Sequence, residues 1–211
     1  KKSSDSVRAE RVWETVYERL INRAHKRAKQ HPIIINYSIG HHRYEKQPDS
    51  SDLELINQIE NLDIPDGFPL FEMPNGFNTQ QPKESHGVSH VHHFFTRRNL
   101  YVLVSLWNKV RKLGNYRNAN SIEFAITAAT RYLTRLSKLG TDYYFHGGGG
   151  VINAGVLGTL FIPSFSAENN VIKTLGVRIP KLVKVFATLS NLSGSLISTQ
   201  ASSNMQTIQA N

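Results

Sequence analysis

The sequence predicts an α+β protein, mainly helical with a few short strands. Three observations point there. Apolar residues recur at helical spacing in several long stretches, and short β-branched runs lie between them. Pro, Gly and Asn cluster in the connections. At 211 residues the chain holds one sizeable domain or two small ones. The boundaries expected are residues 1–62 (a basic helix, short strands and a helix), 63–85 (a Pro/Gly-rich loop) and 86–211 (a core of helices with strand).

Ser4 or Asp5 is placed to cap a first helix running to about Lys29, with Val12, Trp13, Val16, Tyr17, Leu20 and Ile21 on one face. Pro32 stops it. Residues 33–39, IIINYSI, read as a strand, with Gly40, His41 and His42 turning and residues 43–46 pairing back. Ser51 or Asp52 caps a short helix with Leu53, Ile56, Ile59 and Leu62 inward. Residues 63–83 carry too much Pro, Gly and Asn for regular structure, although Phe68, Phe71, Met73 and Phe77 argue for partial packing.

The chain concentrates its polar chemistry at residues 82–112. Turn residues lead into His86, His90, His92 and His93, then Phe94, Phe95, Thr96, Arg97, Arg98 and Asn99. A helix follows with Leu100, Val102, Leu103 and Leu106 inward. Residues 116–121 are expected to connect to a helix capped by Ser121 and spanning residues 122–139. Its small-residue face includes Ala125, Ala128 and Ala129, and Gly140 is its C-cap. Gly147 to Gly150 read as a flexible loop, because no strand-to-helix phosphate-loop pattern surrounds them. A strand at residues 159–163 and a last helix from Val171 to about Leu189, kinked or interrupted near Gly176 and Pro180, complete the reading.

Charge narrows the partners. With 25 Lys+Arg against 16 Asp+Glu the formal net charge is +9, which attracts polyanions, nucleic acid above all. Over residues 1–30 nine basic residues face four acidic ones. Residues 19–29 hold Arg19, Arg23, Lys26, Arg27 and Lys29 with no carboxylate. That edge reads either as a solvated helix face or as one that meets phosphate. The chain has no cysteine, which removes disulfides and thiolate zinc sites and fits a cytoplasmic location. No run is long enough to span a membrane. The chain starts at Lys1 and ends in the polar residues 198–211, so both ends are expected to continue in a longer parent.

Four close histidines raise the question of a metal. Gly87 and the serines argue against a regular helix there, and no Asp or Cys completes a tetrahedral set, so no metal is expected. Donors at a helix start suit phosphate or base contact better: His92, His93, Thr96, Arg97, Arg98 and Asn99. No Ser-His-Asp order, nucleophile elbow or His-Glu-x-x-His is present.

The order PNGFNTQQPKESHGVSHVHHFFTRRNLYVLVSLW, then a Tyr/Gly-rich loop, then GTLFIPSFSAENNV and a final helix, resembles bacterial site-specific DNA methyltransferases. These are the amino-methylating enzymes that act on adenine N6 or cytosine N4. The resemblance is strongest over residues 85–106 and 158–171. It implies an inserted, DNA-facing part of an α/β methyltransferase, lying between the cofactor-binding half and the catalytic Asp-Pro-Pro-aromatic loop. The chain has neither that loop motif nor a Phe-x-Gly-x-Gly cofactor motif, so no catalytic residue carries over and S-adenosylmethionine is implied only for the parent. The expected partners are DNA and the parent's other segments. The alternative is a non-catalytic module that meets nucleic acid or protein.

Overall fold

The computed structural model describes residues 10–113, 116–146, 152–153, 155 and 158–209. The cap at Ser4 or Asp5 and the glycine run 147–150 lie outside them. The fold is α+β and mainly helical, as expected. Among the described residues the strands form three separate two-stranded antiparallel pairs.

The first of these replaces the expected first helix. β1 (Trp13–Glu18) and β2 (Arg23–Ala28) pair from Trp13↔Ala28 to Glu18↔Arg23. The spacing of the apolar residues there satisfies a helix and a strand alike. The strand prevails because period 2 puts Glu14, Val16 and Glu18 on one face, where the core offers them partners. Trp13, Thr15, Val16 and Tyr17 also fit a pleated surface. Asn22 closes the turn at φ +50°, a conformation its short polar side chain tolerates, and its side chain accepts from the Tyr17 hydroxyl. The second hairpin, β3 (Ile35–Ile39) and β4 (His42–Lys46), turns at Gly40 as expected, with Tyr37 stacked on Tyr44.

Helix α1 (Ser50–Glu60) is capped by Asp49, two residues before Ser51 and three before Asp52, the expected caps, because Asp49 and Asp52 form a reciprocal capping box that Lys46 bridges. It lies on the surface against the core. Ile56 and Ile59 are half-buried, whereas Leu53 and Leu62, expected inward, are exposed. The stretch 61–76 is irregular, but it buries Ile64 and Met73 and sets Phe68 edge-on to Phe95. Regular structure then resumes inside the expected loop as α2 (Phe77–His86), which contains Pro82. Gly87 ends α2 at φ +71°, its N–H donating to the Lys83 carbonyl.

A 3-10 turn (Val91–Phe94) leads to Thr96, whose hydroxyl accepts from the Asn99 N–H and caps α3 (Arg97–Arg111). Leu100 and Leu103 point inward as expected. Helix α4 (Tyr116–Thr130) starts earlier and ends earlier than the sequence suggests. Ser121 lies within it and Gly140 does not cap it. The chain leaves the helix at residue 131 because Leu133 is buried in the core and the Arg135 N–H donates to the Phe94 carbonyl.

Next come β5 (Lys138–Leu139), α5 (Thr141–His146) and β6 (Ile152–Asn153). Residues 159–163 form no strand, because pairing with β5 falls at Phe165 and Ser166. Helix α6 (Val171–Gln209) runs without the expected interruption and takes in most of the polar tail. Pro180 cannot donate to the Gly176 carbonyl, yet the helix continues past it.

The main core gathers Leu103, Val110, Ile126, Ala129, Leu133, Val171 and Leu175 where α3, α4 and α6 meet. Met73, Val88, Phe94 and Ile162 form a second cluster, and Ile64, Leu100 and Val104 a third. Phe95 touches all three. Asn99 fastens the helices together by donating to the Leu133 and Asn169 carbonyls at 3.0 and 3.1 Å.

Gly87 sits where α2 meets β2, and a Cβ there would lie 2.1 Å from the Lys26 carbonyl oxygen. Gly87→Ala combines this clash with a left-handed backbone and is expected to destabilise the fold by about 3 kcal/mol. Urea denaturation measures it; a loss under ~1 kcal/mol contradicts the close approach.

Candidate functional site

The β1–β2 register sorts the hairpin into two chemically different faces. Glu14, Val16, Glu18, Arg23, His25 and Arg27 share the inner one; Trp13, Thr15, Tyr17, Ala24, Lys26 and Ala28 share the outer, which is exposed except at Ala28. On the inner face Arg27 donates from Nε to Glu14 at 2.7 Å and from a terminal nitrogen to Glu60 at 3.2 Å. Glu18 reaches across to the 3-10 turn, where its two oxygens accept from His92 Nε2 at 2.6 Å and His93 Nε2 at 2.7 Å. The His25 ring lies 4.3 Å from that of His93, and His90 is 5.2 Å away on another side. Both His92 and His93 are buried.

Burial and charge move several groups of this region from their ordinary values. Burial works to raise the Glu18 pKa, but the hydrogen bonds from His92 and His93 prevail and hold the carboxyl well below the usual range. Burial, then the neighbouring His93, lowers His25 to about 4. Burial followed by the charges of Arg11 and Arg135 does the same to His86, again to about 4. His90 moves down for burial and its histidine neighbours. Arg135 is buried beneath this layer, donating to the His93 carbonyl at 3.2 Å. Its own pKa falls to about 10, through burial first and then Arg27, so it stays charged at neutral pH.

A carboxylate and two imidazoles whose donor atoms lie within 4.8 Å of one another make a metal-ligating set by type. The hydrogen bonds give two of these groups another use. His93 Nδ1 accepts from the Ser89 and His90 backbone N–H groups at 3.2 and 3.4 Å, so the ring proton sits on Nε2 and points at Glu18. Binding a metal at Nε2 would move that proton to Nδ1, against two backbone donors. In this arrangement one carboxylate closes two imidazole N–H groups and latches the hairpin to the turn.

The structure separates the residues expected to face DNA. His92, His93 and Asn99 are buried and bonded within the fold, and Thr96 caps α3. Arg97 donates to the Leu62 carbonyl at 2.9 Å and Arg27 is held by two glutamates. Arg19 pairs with Asp63 and Arg98 with Glu168, each pair largely in solvent. Arg23 and Lys26 are exposed, with the Lys26 ammonium 5.3 Å from the Trp13 ring centroid. Sequence reasoning passed over Glu18, His25 and Arg135 on the inside, and Trp13 and Tyr17 on the outer face. The signal available was the Glu-x-Val-x-Glu alternation over residues 14–18. Compared with known proteins, the chain matches no family model, no curated protein and no solved structure.

Glu18→Gln offers one acceptor where two N–H donors converge, and is expected to cost about 2–3 kcal/mol by urea denaturation. Chelation with EDTA should leave the wild-type melting temperature unchanged; a drop would restore the metal reading.

Acid should act through the depressed histidines. His25 and His86 are neutral in the fold and protonate near pH 6.5 when unfolded, so the unfolded state binds more protons below that pH. Their contribution is full above about pH 6.5 and is lost as pH falls towards about 4, the folded value. Loss of the Glu18 bonds adds to the decline as the pH falls further. His25→Phe keeps the ring contact without the proton and is expected to flatten the upper part of the curve. An equally steep curve in that variant would assign the loss elsewhere.

Proposed function

We propose that this chain is the DNA-binding, target-recognising portion of an S-adenosylmethionine-dependent DNA methyltransferase of the restriction-modification or phage-defence type, working in the cytoplasm. One observation carries the DNA contact: the outer side of the β1–β2 hairpin. The inner face spends Glu14 and Glu18 on Arg27 and the histidines. What remains outward is Trp13, Thr15, Tyr17 and Lys26, and Arg23, although it belongs to the inner set, is exposed at the start of β2. A two-stranded ribbon fits the major groove, cations meet phosphate, and exposed aromatic rings pack on sugar or base.

Arg19 and Arg98 extend the basic surface. Their ion pairs are exposed and contribute about 0–1 kcal/mol each, so phosphate can compete for both cations. The methyltransferase part of the reading rests on the resemblance at residues 85–106 and 158–171. Methylating an amino group requires the base to leave the stack while protein holds the backbone. S-adenosylmethionine and the catalytic loop would belong to other segments of the parent. The second reading, a non-catalytic module for nucleic acid or an acidic protein, draws on the same charged face. Among the described residues no helix is long and apolar enough to cross a membrane.

Arg23→Ala combined with Lys26→Ala removes two cations and leaves the latch intact. In a salt titration on duplex DNA the double variant should bind at least ~10-fold more weakly, with a log–log slope smaller by about 2. Unchanged affinity and slope would remove the ribbon from the interface. A preference for RNA, or binding to an acidic protein alone, would favour the second reading.

A further inference from the structure

Helix α6 leaves the body of the protein with an apolar face still uncovered. Val171 and Leu175 are buried in the main core. On the same side of the helix Ile179, Leu182, Phe186 and Leu189 follow at alternating steps of four and three. That is the heptad spacing of a helix-to-helix seam. Leu182 is half-buried, and every described side chain after it is exposed. Val183, Leu189 and Leu192 are 60%, 52% and 55% exposed.

Val183, Val185 and Leu192 flank the seam, so the apolar face is wider than a two-stranded coiled coil needs and suits a bundle. Helix α4 supplies the neighbouring surface. The Phe186 ring lies 6.4 Å from that of Phe124, which is itself 56% exposed. Apolar side chains gathered in this way on a surface mark an interaction site.

Charge decides what covers it. Residues 171–209 hold Lys173, Arg178, Lys181 and Lys184 and no carboxylate. A helix lying on anionic lipid sets its cations along the edges of the apolar face, where they reach phosphate. Here Lys181 and Lys184 stand on the side opposite the seam, with Thr188 and Asn191. Arg178 is turned over the Tyr132 ring, 3.9 Å from its centroid. An acidic protein would be drawn to that cationic side rather than to the seam. A second α6 meets this one without carrying a charge into the contact.

We propose that the seam of α6, with the Phe124 side of α4, joins two copies of this chain in a four-helix interface. A two-fold arrangement suits it, because a self-complementary apolar face needs no second surface. Covering the exposed parts of these side chains in both copies hides roughly 1,200 Å², the lower end for a specific interface. Dissociation in the micromolar range is therefore expected. Pro180 falls outside the seam, where its ring meets no partner helix. The contact is independent of the DNA reading.

Sedimentation equilibrium of the purified chain without nucleic acid, from about 1 to 100 μM, tests the proposal. Dimer should predominate at the upper end and monomer at the lower. Leu189→Glu and Phe124→Glu change exposed residues, so each should keep the helical circular dichroism while raising the dissociation constant at least ~10-fold. Lys184→Glu, on the opposite side, should dimerise as the wild type does. A wild type that is monomeric throughout overturns the inference, and flotation with vesicles of anionic phospholipid then shows whether lipid takes the face. A dimer that both glutamate variants on the seam leave intact overturns it as well. Neither result bears on the β1–β2 ribbon.

Discussion

The Glu18 carboxylate, held between two buried imidazole N–H groups, is the contact on which the arrangement of this molecule depends. It joins residues 74 and 75 positions apart and fixes the β1–β2 hairpin to the 3-10 turn that precedes α3. A carboxylate taken out of water is costly unless its oxygens are filled, and here each has a donor. The donors are fixed in turn. The Ser89 and His90 amides settle the His93 tautomer, and the turn that carries those histidines leads directly into the Thr96 cap. Arg27, between Glu14 and Glu60, repeats the arrangement one step further along β2, bringing in α1. The hairpin is therefore seated through polar bonds, with Ala28 its one fully buried apolar side chain.

This explains which parts of the structure were legible in the sequence. The Gly40 hairpin, the capped helix after Asp49 and the Thr96–α3 junction follow from local chemistry, and they stand as that chemistry dictates. The first thirty residues do not. Their apolar spacing serves either period, and the choice lies with groups about 75 positions away that satisfy Glu18 only if 14, 16 and 18 share a face. The same holds for α4, which stops at Thr130 because Leu133 and Arg135 have tertiary partners. In α2 and α6 the prolines misled in the opposite direction: Pro82 and Pro180 each sit inside a continuous helix.

The candidate site was legible in its residue types and less so in its orientation. The cluster of His, Thr, Arg and Asn at a helix entry is real, and most of it faces inward. Asn99 ties three segments together, His92 and His93 hold the hairpin, and Arg97 holds the end of the chain after α1. A sequence shows that donors are concentrated. It does not show whether the acceptors are protein or phosphate, because those acceptors, Glu18 and the Leu62, Leu133 and Asn169 carbonyls, are distant in the chain.

Structural and functional chemistry meet in the register of the hairpin. In a strand pair a slip of one residue exchanges the two faces completely. It would turn Glu18 to solvent, leave two imidazole donors buried without an acceptor, and carry Trp13, Tyr17 and Lys26 inward. The latch therefore does more than stabilise the hairpin: it selects which face is seen from outside. The acidic groups of residues 13–28 are consumed in making that selection, and the cation that remains on the outer face stands beside exposed aromatic rings. A positive, aromatic ribbon on this surface follows from bonding two glutamates on the opposite face.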